Sequence, residues 1–257
     1  MDQNVSLLEY LQPAVPFIPI HQQLLSAPAT NNTIKLPEIG SLSAWTDFSL
    51  STILQVYRPP LIAATVVASD MFPPNPQPVN SKAALVSRIS EYISPLIRCA
   101  LRCGFAKLAT MPHPEKGTLT TISLDSGDKA RRIGPSNPDL AYVTVNNIMG
   151  NKLNRAPGVV ELSRTWHTGL SEGNEHQKTE YLRVLRELSR YMAQHHAQYG
   201  FILTNQELVV VRRNGGNDSR GLELSKPIMW YVGGDAENPK LTVLLALWYL
   251  GMLVSRE

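Results

Sequence analysis

Cysteine is scarce. The 257 residues hold two, Cys99 and Cys103, too few for the disulfide frameworks of small secreted domains or for a four-cysteine zinc site. Set four apart on an expected helix, they read as buried thiols rather than ligands. Long hydrophobic runs are missing as well. The longest, residues 241–254, falls short of the ~20 needed to span ~30 Å of hydrocarbon. The opening stretch MDQNVSLLEYLQP carries acids where a signal peptide has its basic region, and Glu9 and Pro13 break its apolar run. An intracellular, soluble protein (cytoplasmic or nuclear) is the expectation. GxGxxG, GxxxxGK[ST] and GxSxG are all absent, which removes the common phosphate-cradling loops and the hydrolase elbow. An excess of one charge is lacking too: 24 Lys and Arg against 21 Asp and Glu leave +3. That permits nucleic-acid binding without announcing it.

What the chain does have is a globular composition, 43% hydrophobic and 18% charged, and enough length for one or two domains with a real core. Its charge is unevenly placed. Residues 1–80 hold Lys35 and Arg58 against Asp2, Glu9, Glu38, Asp47 and Asp70, a net of −3, so the remainder carries +6. Of the 19 prolines, 11 lie in those first 80 positions. The division implied is a Pro-rich N-terminal arm, 1–80, wrapping over a regular domain, 81–257, because each proline removes a donor and restricts its neighbour.

Within the arm, residues 49–57 suit one short helix or strand ahead of Pro59-Pro60. Residues 81–103 predict a helix with Ser81 as N-cap, Leu85, Ile89, Tyr92, Ile93, Leu96, Ile97 and Leu101 at helical spacing, a kink at Pro95 and a stop at Gly104. Strands are expected at 117–124, 140–146 and 159–163, the last two as sheet neighbours. A second helix is expected over 177–198, with Tyr181, Leu182, Leu185, Leu188, Tyr191, Met192 and His195 on one stripe. A hairpin at 201–213 and a strand at 222–224 follow, then an all-apolar helix over 241–254 that must pack on a sheet. The fold class is α/β (α+β), a mixed central sheet between helices.

The candidate chemistry is carboxylate chemistry: Glu91 on the first long helix, Asp139 opening a strand, Glu161 on the next. Carboxylates at adjacent strand ends hold Mg²⁺ in metal-dependent nucleases, with a lysine two residues beyond the second acid. The stretches PDLAYV, RAPG, RELSRYMAQHHAQYGFILTNQELVVVRR, LELSKPIMW and LTVLLALWYLGML resemble the fungal PD-(D/E)XK nuclease-like domain family over roughly residues 81–254. The resemblance implies a restriction-endonuclease-like core. It also implies an acid-x-lysine motif that this chain lacks. Anchored on Pro157-Gly158 and Trp166, the two motif positions fall on Val159 and Glu161; anchored on Glu161 as the acid, the lysine position is Ser163, with Arg164 beside it. In either register a ligand or the cation is gone, a loss worth on the order of 10²–10³ in rate.

The expectation drawn from that loss is a repurposed fold. Glu161 and Asp139 would be general acid and base, without metal or other cofactor, in an isomerase- or cyclase-type reaction on a small organic molecule, of the sort met in fungal specialised metabolism. Ser163, Arg164, Trp166 and Trp230 would bind the substrate. The alternative is a Mg²⁺-dependent DNA endonuclease or a DNA-binding pseudo-nuclease. Each residue has a plainer reading as well. In that reading Asp139 caps a turn, Glu91 is a solvated helix residue, and the tryptophans are core. His195-His196 and Arg212-Arg213 read as helix-end and strand-edge residues.

Overall fold

The structure is a computed structural model that describes residues 3–21, 37–68, 72, 76–112, 119–145, 152–214 and 220–256. Chain order runs β1 (Gln3–Ser6), α1 (Leu7–Tyr10), β2 (Leu42–Ala44), α2 (Leu50–Ala63), β3 (Thr65–Ala68) and α3 (Lys82–Thr110). Three strands follow, β4 (Ile122–Ser126), β5 (Leu140–Thr144) and β6 (Asn154–Val160), then α4 (Glu175–Gln194). The last elements are β7 (Tyr199–Leu203), β8 (Glu207–Arg213), β9 (Leu222–Leu224), β10 (Ile228–Met229) and α5 (Val243–Val254).

One mixed sheet dominates, in the order β2-β9-β8-β7-β6-β5-β4, with β10 added to β8. β4, β5 and β6 form an antiparallel meander. α4 then carries the chain over to β7, which runs parallel to β6. β1 and β3 pair separately as a two-stranded ribbon. The period-2 alternation of the strands sorts their side chains between two cores. Val160, Phe201, Leu203, Leu208 and Val210 join a cluster with α2, α3 and α5. Val159, Ile202, Val209 and Val211 join another with Leu185 and Leu188 of α4. The result is three layers, helices–sheet–helix, as the sequence pattern predicts. Among the described residues, no helix is long and apolar enough to cross a membrane.

Several boundaries differ from expectation. The first 80 residues supply a 14-residue helix, α2, that runs through Pro59 and Pro60. Burial of Ile53, Tyr57, Pro60 and Leu61 in the main core outweighs the lost donors. α3 continues past Gly104 to Thr110. That glycine is no stop; a Cβ there would lie 3.0 Å from the Trp248 indole nitrogen, so it lets α5 approach. α4 begins at the capping box Asn174–Gln177 and ends at Gln194, four residues early, with His196 at φ 53° turning the chain into β7. β6 starts at Asn154, inside the expected turn, and ends at Val160. Glu161 and Ser163 therefore lie beyond the strand, and their expected i, i+2 alternation fails. Part of the expected strand at 117–124 and the turn after β5 lie outside the described residues.

Candidate functional site

The antiparallel register sets Leu140 opposite Gly158, so the start of β5 lies beside the end of β6. The Asp139 N–H donates to the Gly158 carbonyl at 3.0 Å, and the Asp139 Oδ2 accepts from the Val160 N–H at 2.8 Å. One residue on, the Glu161 N–H donates to the Leu203 carbonyl of β7 at 3.0 Å, fixing that backbone at the sheet end. Glu161 is 7% exposed. Its Oε2 accepts from the Thr165 hydroxyl at 3.2 Å. The two acids singled out from the sequence are thus brought together.

A lysine joins them. Lys82, the first helical residue after the Ser81 N-cap of α3, places its Nζ 2.9 Å from Asp139 Oδ2 and 3.5 Å from Glu161 Oε1. From the opposite layer, Arg183 of α4 reaches to 3.9 Å from Glu161 Oε1 and pairs with Glu180 at 2.9 Å and Glu187 at 3.8 Å. Burial pushes the Glu161 carboxyl above the usual carboxylate range and Glu187 adds to this, against the opposing pull of Lys82, Arg183 and the Thr165 hydroxyl. For Lys82, burial works against the charge, but Asp139, Glu161 and Glu187 outweigh it and hold the ammonium above its ordinary value. Arg183 is raised in the same way, burial being outweighed by the Glu180 hydrogen bond and the surrounding carboxylates. Lys82 is therefore a fixed cation at neutral pH. The sequence expectation was an acid–base pair of Glu161 and Asp139 with no cation between them; the two share the Lys82 ammonium.

Lys82, Arg183 and Glu187 escaped the sequence reading. One signal was available for Lys82: a cation in the first turn of a helix opposes the macrodipole and is misplaced unless carboxylates face it.

The expected substrate-binding residues make contacts of their own within the fold. The Ser163 N–H donates to Asn205 Oδ1 at 2.9 Å, and the Arg164 guanidinium donates to the carbonyls of His21 at 3.1 Å and Asn80 at 3.4 Å. Both residues tie down neighbouring backbone, because the chain turns away once β6 ends. Trp166 is fully buried, stacked on Tyr181 with ring centroids 5.7 Å apart. Its N–H is spent on the Tyr181 carbonyl, so it is core. Trp230 lines a cavity of about 10 Å³ together with Val15, Pro16, Ile18, Arg88 and Tyr92. That volume holds about one water. Glu91 is a solvated helix residue paired with Arg88 at 3.0 Å.

Among the described residues, no three His, Cys, Asp or Glu side chains stand together as a metal cage. The donor set is smaller: two carboxylates that already converge on one cation. The Leu162 carbonyl beside them is taken by the Thr165 N–H and the Trp166 N–H at 2.8 and 3.0 Å. Two carboxylates fit Mg²⁺, which keeps several waters and binds through one or two carboxylates plus substrate phosphates. Asp139 and Glu161 are the residues that would hold it. No protein-family model, no curated protein and no solved structure matches the chain.

Proposed function

We propose that the chain is a nuclease-like phosphodiester hydrolase that takes its active-site lysine from a helix. The observation that carries this reading is Lys82, within 2.9 Å of Asp139 and 3.5 Å of Glu161. In the register that takes Glu161 as the acid, the motif lacks its cation at Ser163, and Lys82 brings an ammonium to the same two carboxylates. The resemblance of residues 81–254 to the PD-(D/E)XK family adds to it. Asp139 is oriented by the Val160 N–H and Glu161 by Thr165, so both present oxygens from a rigid sheet end. Lys82, protonated at neutral pH, stabilises negative charge growing on a phosphoryl oxygen. Glu161, raised by burial, is disposed to take a proton from an attacking water. A divalent ion bound by the two acids supplies charge neutralisation and a more acidic water.

A second reading rests on the same contact. The Lys82 ammonium already neutralises both carboxylates, which suits a metal-independent acid–base catalyst acting on a small organic molecule. Nicking of supercoiled plasmid in Mg²⁺ or Mn²⁺ separates the two. Hydrolysis predicts nicking that is lost in Asp139→Ala and in Lys82→Met. Nicking undiminished in Asp139→Ala, or none by the unaltered protein, favours the second reading.

A further inference from the structure

The loop between β4 and β5 holds a serine whose hydroxyl faces an arginine, Arg190, that has no carboxylate partner among the described residues. The Ser136 Oγ accepts from both terminal nitrogens of Arg190, each at 3.1 Å, and lies 3.3 Å from the Tyr191 oxygen, whose single proton goes to the Asn137 carbonyl. Those two N–H groups fill the two lone pairs of the hydroxyl oxygen. The Arg190 Nε is buried with no hydrogen-bond partner, and the guanidinium lies over the Tyr191 ring, 4.5 Å from its centroid. Arg132 folds back over the same loop, its Nε and one terminal nitrogen donating to the carbonyls of Gly134 and Pro135 at 3.3 and 3.0 Å. A second guanidinium thus stands within two residues of Ser136. Neither arginine has an ion-pair partner among the described residues. The loop is reachable: residues 131–135 are exposed, Ser136 is half-buried, and no helix or strand includes them.

We propose that Ser136 is a phosphorylation site whose phosphoryl group is read by Arg190 and Arg132. Three phosphoryl oxygens carrying close to two negative charges supply the counter-charge that the two arginines lack and acceptors for the unpartnered Arg190 Nε, and a planar guanidinium pairs with two of those oxygens at once. The donor is a nucleoside triphosphate brought by a protein kinase. The Oγ–P bond forms, the bond from the γ-phosphorus to its bridging oxygen breaks, the nucleoside diphosphate leaves, and the hydroxyl proton passes to the kinase's base. Ser136 lies three residues before Asp139, and Tyr191 also holds the Asn137 carbonyl at 2.9 Å. Modification therefore tightens the segment that delivers Asp139 to the sheet end. The site stands on loop geometry alone and does not depend on the chemistry proposed for Asp139 and Glu161.

The test has two arms. In the first, the full chain is incubated with ATP and a protein kinase that prefers basic residues upstream of serine, and the phosphopeptide is mapped. Label at Ser136, absent in Ser136→Ala, is expected; label only at other residues, or none, overturns the proposal. In the second, phosphoserine is installed at 136 by codon reassignment and melting is compared with the unmodified chain. A rise in Tm on the order of 2–5 °C is expected, lost in Arg190→Met and partly kept in Arg190→Lys. A Tm that is unchanged or lower, or a rise that survives Arg190→Met, overturns it. Stabilisation of the unmodified chain by millimolar inorganic phosphate, with no effect of phosphoserine, would mark a free-anion site and also overturns it.

Discussion

Replacing Lys82 by methionine keeps most of the side-chain volume and removes the one ammonium that Asp139 and Glu161 share. At an effective dielectric constant of about 20, a charge pair at the 3.5 Å of Lys82 and Glu161 is worth about 5 kcal/mol before screening. Lys82 has a side chain 35% exposed, so water recovers much of that. Exposed pairs contribute roughly 0.2–1 kcal/mol and broken buried pairs cost about 3–5; a group two-thirds buried falls between, at about 1–3 kcal/mol. For a chain of 257 residues, about 2 kcal/mol corresponds to a fall in Tm of roughly 4–8 °C. The pH dependence has a definite sign. The folded-state pKa of Lys82 is raised, so its contribution is complete below the unfolded value of about 10.4 and is lost as pH rises through the folded one. Denaturant unfolding of both proteins from pH 7 to 11.5 should show a constant gap that narrows only at the alkaline end. Carbon-detected NMR of Glu161 should show its carboxyl rising further in the variant, since Lys82 is the first of the groups that hold it down. A Tm within about 1 °C of the unaltered protein, or a gap unchanged across that pH range, would falsify the idea of a shared ammonium.

Leu185→Ala and Leu188→Ala, both at fully buried positions on α4, should each cost about 2–5 kcal/mol in urea unfolding; losses under about 1 kcal/mol would mean the helix faces the sheet differently. Gly127→Ala would place a Cβ 1.8 Å from the Pro138 carbonyl oxygen, which forces backbone next to Asp139 to move. It should lower Tm and abolish plasmid nicking together, and unaltered nicking would show that Asp139 is not held through this turn. Asn205→Ala unpairs the Ser163 N–H and the Ile18 carbonyl, a loss of about 1–3 kcal/mol. Limited proteolysis should then cut sooner near residue 18, and an unchanged digestion pattern would deny that Asn205 pins the arm.

The layers were legible because the two apolar runs of the 201–213 hairpin and the helical stripe of α4 are strong, local and mutually consistent. Boundaries were less so. Pro59-Pro60 and Gly104 look like breaks in one dimension, yet the core that covers α2 and the Trp248 ring that needs room beside Gly104 come from residues far along the chain. Asp139 and Glu161 were found because each is an acid set against apolar strand sequence. Lys82 was not, being separated from them by 57 and 79 residues, distances that only the packing of α3 on the sheet end closes. Ser163 and Arg164 were assigned by extending β6 three residues too far. The strand stops at Val160, where the Asp139 carboxylate takes its N–H and the chain turns toward Asn205.

The central claim is that Asp139 and Glu161 form one cation site for which Lys82 competes. Calorimetric titration with Mn²⁺ of the unaltered protein, Lys82→Met and Asp139→Ala addresses it directly. If the three side chains share one site, the unaltered protein binds a single Mn²⁺, Lys82→Met binds it more tightly because the competing ammonium is gone, and Asp139→Ala binds none. Mn²⁺ binding that is weakened by Lys82→Met, or left intact by Asp139→Ala, would contradict it.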